Sequence, residues 1–163
     1  MRDPELSGVR STLAEVMHSA VEKLEDDHDI HPDIVVLLSV HSPLRQPHHI
    51  QEAIDTLLLY EVDNVISTCE DIELHFRHGK TGLTPLNPGM VAQLRFERES
   101  LFVDNGAIHA FWREAINIDD VYHGKIGHVV MPRDLSHQIK EKSDIDVVRT
   151  LNRLKNSDRS EPT

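Results

Sequence analysis

A single cysteine, Cys69, stands in 163 residues. That excludes an internal disulfide and suits a reducing, cytoplasmic setting. Its place in an apolar, strand-like run leads us to expect a buried structural thiol. Long hydrophobic runs are missing too. No stretch approaches the ~18 residues that a membrane span requires, and no signal-peptide pattern opens the chain. Basic charge is scarce: 17 Lys and Arg face 28 Asp and Glu, a formal net charge of −11. With no basic stripe to offset it, nucleic acid is excluded as a partner and anionic membranes as a docking surface. No Gly-rich loop of the phosphate-cradling kind is present, and neither an internal repeat nor a domain linker divides the chain.

What is there reads as one globular domain. Hydrophobic residues make up 39% and charged residues 28% of a chain long enough to bury a real core. Twelve histidines are many for this length, but they are scattered. The one adjacent pair, His48-His49, sits where a helix should begin. Zinc ligands need spacing along one helix face or across a hairpin, which these lack, so solvated histidines are the plainer reading.

Leu13, Val16, Met17, Ala20, Val21 and Leu24 recur at helical spacing behind a Thr12-x-x-Glu15 capping box. Ile34 to Leu38 is apolar on both faces, the pattern of a central parallel strand. Ser42-Pro43 breaks it. Pro47 then opens a second helix with Ile50, Ala53, Ile54, Leu57 and Leu58 as its buried stripe. Asn64 to Cys69 completes a β-α-β unit. From Asp71 to Arg98, Gly and Pro punctuate a stretch of short antiparallel strands and loops. Ala107–Phe111 and Val129–Met131 are further strands. Ser143 is placed to cap a last helix carrying Ile145, Val147, Val148, Leu151 and Leu154, with Asp144 and Asp146 at its amino end. The fold class is α/β.

Four phrases in fixed order carry a resemblance: Asp33-Ile-Val-Val-Leu-Leu-Ser-Val-His-Ser-Pro-Leu-Arg45, Val65-Ile-Ser-Thr-Cys-Glu70, Asp104-Asn-Gly-Ala-Ile-His-Ala-Phe111 and Gly124-Lys-Ile-Gly-His-Val-Val-Met-Pro132. Together they resemble the acylneuraminate cytidylyltransferases, the CMP-sialic acid synthetases, over roughly Arg2 to Leu154. The resemblance implies a partial nucleotide-diphospho-sugar-transferase sheet, Rossmann-like, with a small antiparallel excursion near residues 71–104. It implies a truncated cytidylyltransferase-like domain over 1–155, and the polar composition of 156–163 leads us to expect a disordered tail there. The family's reaction joins CTP to a sugar acid, giving the CMP-sugar and pyrophosphate with magnesium. It belongs to surface-polysaccharide biosynthesis in the cytoplasm, and its members are commonly dimeric.

Carried over residue by residue, the resemblance places Asn105 and Gly106 beside the sugar-acid pocket. Ser42 and Arg45 would border the nucleotide side. Each has a plainer alternative: Ser42-Pro43 starts turns anywhere, and Asn-Gly is the commonest hairpin signal. The family's Gln-Pro-Thr-Ser-Pro-Leu-Arg survives here only as Ser42-Pro43-Leu44-Arg45, and His109 stands for a usual Tyr.

Two departures matter more. The family's metal-holding Asp-Ile-Asp aligns with Gln138-Ile139-Lys140, and an ammonium repels a cation. Asp144 and Asp146 read as helix-end charges rather than as displaced ligands. The opening triphosphate loop has no counterpart, so about 70 residues of the family fold should precede this chain. An unpaired apolar edge would then lie along Ile34–Leu38, calling for a homo-oligomer or a complementing chain. The expectation is a fragment or degenerate member, a pseudoenzyme inactive in isolation and without cofactor. The other reading is a non-catalytic sugar-acid-binding or scaffolding subunit. A histidine-rich metal binder centred on His48 and His49 is a third, weaker idea.

Overall fold

The computed structural model describes residues 13–116 and 120–158. The first apolar stripe forms α1 (Leu13–His28), burying Ala14, Met17 and Val21 at three- and four-residue spacing. Its expected cap, Thr12, lies outside the described residues. β1 (Ile34–Leu38) follows, then α2 (Pro47–Leu59), which starts on Pro47, where a missing N–H leaves no helical bond unmade. Next come β2 (Asn64–Asp71) and a hairpin of β3 (Phe76–Gly79) and β4 (Gly82–Pro85). Gly79 pairs with Gly82 around the Lys80-Thr81 turn. This is the expected antiparallel excursion. β5 (Leu101–Trp112), β6 (Ile126–Val130) and α3 (Lys142–Asp158) complete the chain. The last helix therefore reaches into the segment assigned to the tail, and residues 159–163 lie outside the described residues.

The main sheet is mixed, in the order β1-β5-β2-β6. β5 runs antiparallel to both β1 and β2, whereas β2 and β6 are parallel. The fold class is thus α/β, but β1 is neither central nor paired in parallel. It lies at the sheet edge against β5, which slots between the two strands of the β-α-β unit. An apolar run reports burial on both faces and says nothing of the neighbour's direction.

That burial is real. Ile34 and Val36 pack on a core of Ala53 and Leu57 from α2, Ile108 and Val129 from the sheet, and Val148 from α3. Val35 and Leu37 point the other way, to Met17 and Val21 of α1 and to Phe111. Helices therefore cover both faces. Arg113, just past β5, clamps α1 with a two-pronged ion pair to Glu25 (Nε to Oε1 2.6 Å, Nη2 to Oε2 2.9 Å). The hydrogen bond from Arg113 holds the Glu25 carboxyl below its ordinary range. No helix among the described residues is long and apolar enough to cross a membrane.

Candidate functional site

β5 does not end at the Asn-Gly pair. Between the Ile66–His109 and Thr68–Asp104 pairs, β2 advances two residues while β5 advances five. The surplus bulges out of the sheet around Asn105 and Gly106, so the pair makes a bulge and not a hairpin turn. Gly106 sits at φ +60°, the left-handed region that a side chain disfavours.

Asn105 holds the bulge together from inside. Its Oδ1 accepts the Ser67 hydroxyl at 2.6 Å and the Ala107 N–H at 3.1 Å. Its Nδ2 donates to Ser136 Oγ at 2.9 Å, and that hydroxyl donates on to the Met131 carbonyl. The Asn105 backbone carbonyl accepts from the Ser42 hydroxyl at 3.3 Å and from the Gln138 amide. Five residues thus bond to one that is 5% exposed. Ser67 closes the circuit by accepting the Ile108 N–H at 2.8 Å. These bonds stand where ladder bonds would be in an unbroken strand.

A cavity of about 340 Å³ opens beside this knot, at the carboxyl ends of the parallel pair β2 and β6. Asn105 and Ser136 form part of its wall, with Cys69, Glu70 and Asp104 on the strand side and Arg133, His137 and Lys140 on the loop side. A second cavity of about 410 Å³ lies across Gln138 and Lys140, between Ser39, His41 and Gly106. The bond from the Ile139 N–H to the His41 carbonyl, 2.8 Å, holds the intervening loop against the end of β1.

The four sequence-derived residues therefore fall in one neighbourhood with different exposures. Asn105 lines the first cavity and Gly106 the second. Ser42 is fully buried beneath them. Arg45 turns back on its own loop, donating to the carbonyls of Ser39 and of Ser42, the latter at 2.9 Å. Cys69 is free and half-buried at the cavity wall rather than enclosed in the core. Gln138 donates its amide to Asn105, and the Lys140 backbone N–H is held by Asp144.

Asp144 is the third residue of α3, and its carboxylate reaches back to the N–H groups of Glu141 (2.9 Å) and Lys140 (2.7 Å). Those bonds depress its pKa. This is the returning half of a capping box, with Glu141 in the cap position expected for Ser143. Ser143 lies inside the first turn, donating to Glu141 Oε1.

Glu70, Asp104, Arg133 and His137 escaped the sequence reading. Glu70 closes and Asp104 opens a phrase of the resemblance, whereas Arg133 and His137 carry no motif. Glu70 lies near the end of β2, Asp104 beside the bulge within β5, and Arg133 and His137 in the loop after β6. Among the described residues, neither Arg133 nor Lys140 pairs its side-chain charge with a carboxylate. Two uncommitted cations on one rim suit an anionic ligand, and the carboxylates opposite suit hydroxyl donors.

Gly106→Ala tests the bulge directly. A Cβ there would approach Gln138 Nε2 to 2.7 Å, and the left-handed backbone adds a cost of its own. The expected loss is about 2 kcal/mol in urea unfolding, with displacement of the Gln138 side chain. A loss below about 0.5 kcal/mol would mean that the bulge is not held in this conformation.

No family model matches the chain. Its sequence is similar to the N-acylneuraminate cytidylyltransferases of Streptococcus agalactiae serotypes III, Ia and V, 39% identical over 75 residues in each case. That stretch is 46% of this chain and 17% of each relative, so the chain spans less than a fifth of the curated relatives it matches.

Proposed function

We propose that this chain carries the sugar-acid side of a site related to that of the acylneuraminate cytidylyltransferases and does not transfer cytidylate in isolation. The observation that carries the reading is the Asn105 bulge at the mouth of the 340 Å³ cavity. It sits at the strand ends, with Arg133 and Lys140 uncommitted beside it, and the 75-residue similarity supplies the ligand class. A sugar acid offers one carboxylate for those cations and several hydroxyls for Glu70 and for the remaining lone pairs of Asp71 and Asp104, whose carboxylates already accept from the Glu73 N–H and from the Gly106 N–H and Tyr122 hydroxyl. Asn105 and Gly106 border this ligand. Ser42 and Arg45 act from beneath, by holding the loop that would face the nucleotide.

The magnesium of the related enzymes does not fit these residues. At the family's metal positions the Gln138 amide is turned to the Asn105 carbonyl, and Lys140 brings a positive charge. The nearest carboxylate, Asp144, is engaged with backbone N–H groups. Among the described residues no group of three or more His, Cys, Asp or Glu could hold a metal ion. Without charge neutralisation of the triphosphate, nucleotidyl transfer lacks its main source of transition-state stabilisation. A degenerate or complemented member of the family therefore accounts best for the chain.

Calorimetric titration with N-acetylneuraminic acid, with CMP and with CTP plus magnesium tests this. Heat is expected from the sugar acid alone, and Arg133→Ala should weaken it about tenfold, the value of one charge-assisted hydrogen bond. Magnesium-dependent CTP binding would overturn the reading and call at once for a transfer assay. Silence on all three, in a folded sample, would favour the second reading, a scaffolding subunit.

A further inference from the structure

The two cavities beside the Asn105 bulge share a wall. Gln138 and Lys140 line both of them, whereas Asn105 belongs to the first and Gly106 to the second. The strap that carries the wall, residues 136–140, is pinned at three points. Ser136 Oγ accepts from Asn105 Nδ2 at 2.9 Å, the Ile139 N–H donates to the His41 carbonyl at 2.8 Å, and the Lys140 N–H donates to Asp144 at 2.7 Å. Between these points the Gln138 side chain reaches the Asn105–Gly106 peptide, and its amide donates to the Asn105 carbonyl. The fit is close, since a Cβ on Gly106 would come within 2.7 Å of the same amide nitrogen.

That contact is the part of the wall that opens at least cost. The Asn105 carbonyl has a second donor, the Ser42 hydroxyl at 3.3 Å, so it keeps a partner when the Gln138 amide leaves. Gln138 is itself only half-buried, and its amide exchanges one hydrogen bond for another with water on swinging out. Lys140 supplies the complementary feature. Its backbone is fixed, but its exposed ammonium pairs with no carboxylate among the described residues and can serve an anion on either side.

We propose that Gln138 is the specificity-determining residue of this site, a side-chain gate that confines a ligand to the first cavity. This gate presupposes the sugar-acid reading and adds to it what the site turns away. With the gate shut, a sugar acid sets its carboxylate by Arg133 and its ring against Asn105, and no passage leads on. An acid extended by a phosphodiester needs both cavities at once, with its second negative charge beyond the Gln138 wall. It enters only when the Gln138 amide gives up the Asn105 carbonyl, so part of its binding is spent on opening the gate.

The test is calorimetric titration of the full chain, native and Gln138→Ala, with N-acetylneuraminic acid and with CMP–N-acetylneuraminic acid. The native chain should bind the free acid at least about tenfold more tightly than the conjugate, the factor that one blocked polar contact is worth. In Gln138→Ala that ratio should fall by about tenfold, toward equal binding. Gln138→Asn, one methylene too short to reach the carbonyl, should do the same should the first variant fold poorly. A further readout needs no ligand: the side-chain amide protons of Gln138 should exchange with solvent more slowly than those of exposed Gln93.

Equal affinity of the native chain for both ligands would overturn the gate, and so would a ratio that neither variant moves. Gln138 amide protons that exchange as freely as those of Gln93 would overturn it too, because the passage would stand open at rest. Each of these results leaves the sugar-acid reading intact. Heat from neither ligand with any variant, in a folded sample, would instead fell that reading, and the gate with it.

Discussion

Asn105→Ala is expected to cost about 3 kcal/mol, a large share of the 5–15 kcal/mol that holds a domain of this kind together. The truncation leaves the Ser67 hydroxyl, the Ala107 N–H and the Ser136 hydroxyl without the partner each now has. A buried group so stranded costs roughly 1–3 kcal/mol, partly recovered where the bulge relaxes or admits water. In urea the midpoint should fall by about 1–2 M. Ser67→Ala should cost less, because the Ser67 hydroxyl serves Asn105 and Ile108 but leaves the bond to Ser136 standing. The double variant should fall short of the sum by about 1 kcal/mol, since the two side chains share one bond. A loss under 1 kcal/mol with sugar-acid binding abolished would reassign Asn105 from keystone to direct ligand contact. Loss of stability with binding kept in the folded fraction would remove it from the site.

That distinction marks the limit of what was legible in the sequence. Asn105-Gly106 stood out as chemistry or as turn, and the bulge is a third possibility that satisfies both signals. Gly106 supplies the positive φ that a turn would need, yet the strand continues because the Asn105 amide substitutes for ladder bonds. Ala107–Phe111 was visible as a strand, whereas Leu101 to Asp104 was not. No local pattern shows that a strand resumes on the far side of a Gly. The helices were readable because their stripes are local. Ala53 and Leu57 of α2, both fully buried, fall on the stripe predicted for it.

Strand order was not readable, because it depends on contacts between distant residues. β1 pairs with β5 some seventy residues later, and its apolar faces only announce the helices above and below. The same holds for the site. The four residues taken from motifs fall in one neighbourhood, but the cations and carboxylates around the cavity come from three separate stretches of chain. Only the sheet brings Glu70 and Asp71 opposite Arg133 and Lys140. Cys69 shows the converse error. An apolar neighbourhood in sequence suggested enclosure, but the strand end on which it lies borders open space.

His109 carries the second large expected effect, a loss of about 3 kcal/mol of stability between pH 6.5 and 4. The ring is 7% exposed, stacked on Phe111 at 3.9 Å between centroids, and its Nε2–H donates to Asn64 Oδ1 at 3.2 Å. Burial pushes its pKa from 6.5 down to about 4, with Asp104 opposing weakly. Above pH 6.5 the ring is neutral folded and unfolded, so the full stability is present. As pH falls toward 4, the unfolded chain takes up a proton that the folded one refuses, and stability drops by up to about 1.4 kcal/mol per unit. His49 adds a smaller contribution of the same sign: burial lowers it first, and the charges of His48 and Lys155 next. The depressed carboxyls of Glu25 and Asp144 act only below their ordinary values of 4.5 and 3.8. The window from pH 6.5 to 4.5 therefore lies above the range of both carboxyls. Urea midpoints across it should fall steeply in the native chain and much less in His109→Phe, which keeps the stack on Phe111 and cannot be protonated. A His109 ring resonance that titrates near 6.5, or a variant that loses as much stability in acid as the parent, would refute the assignment.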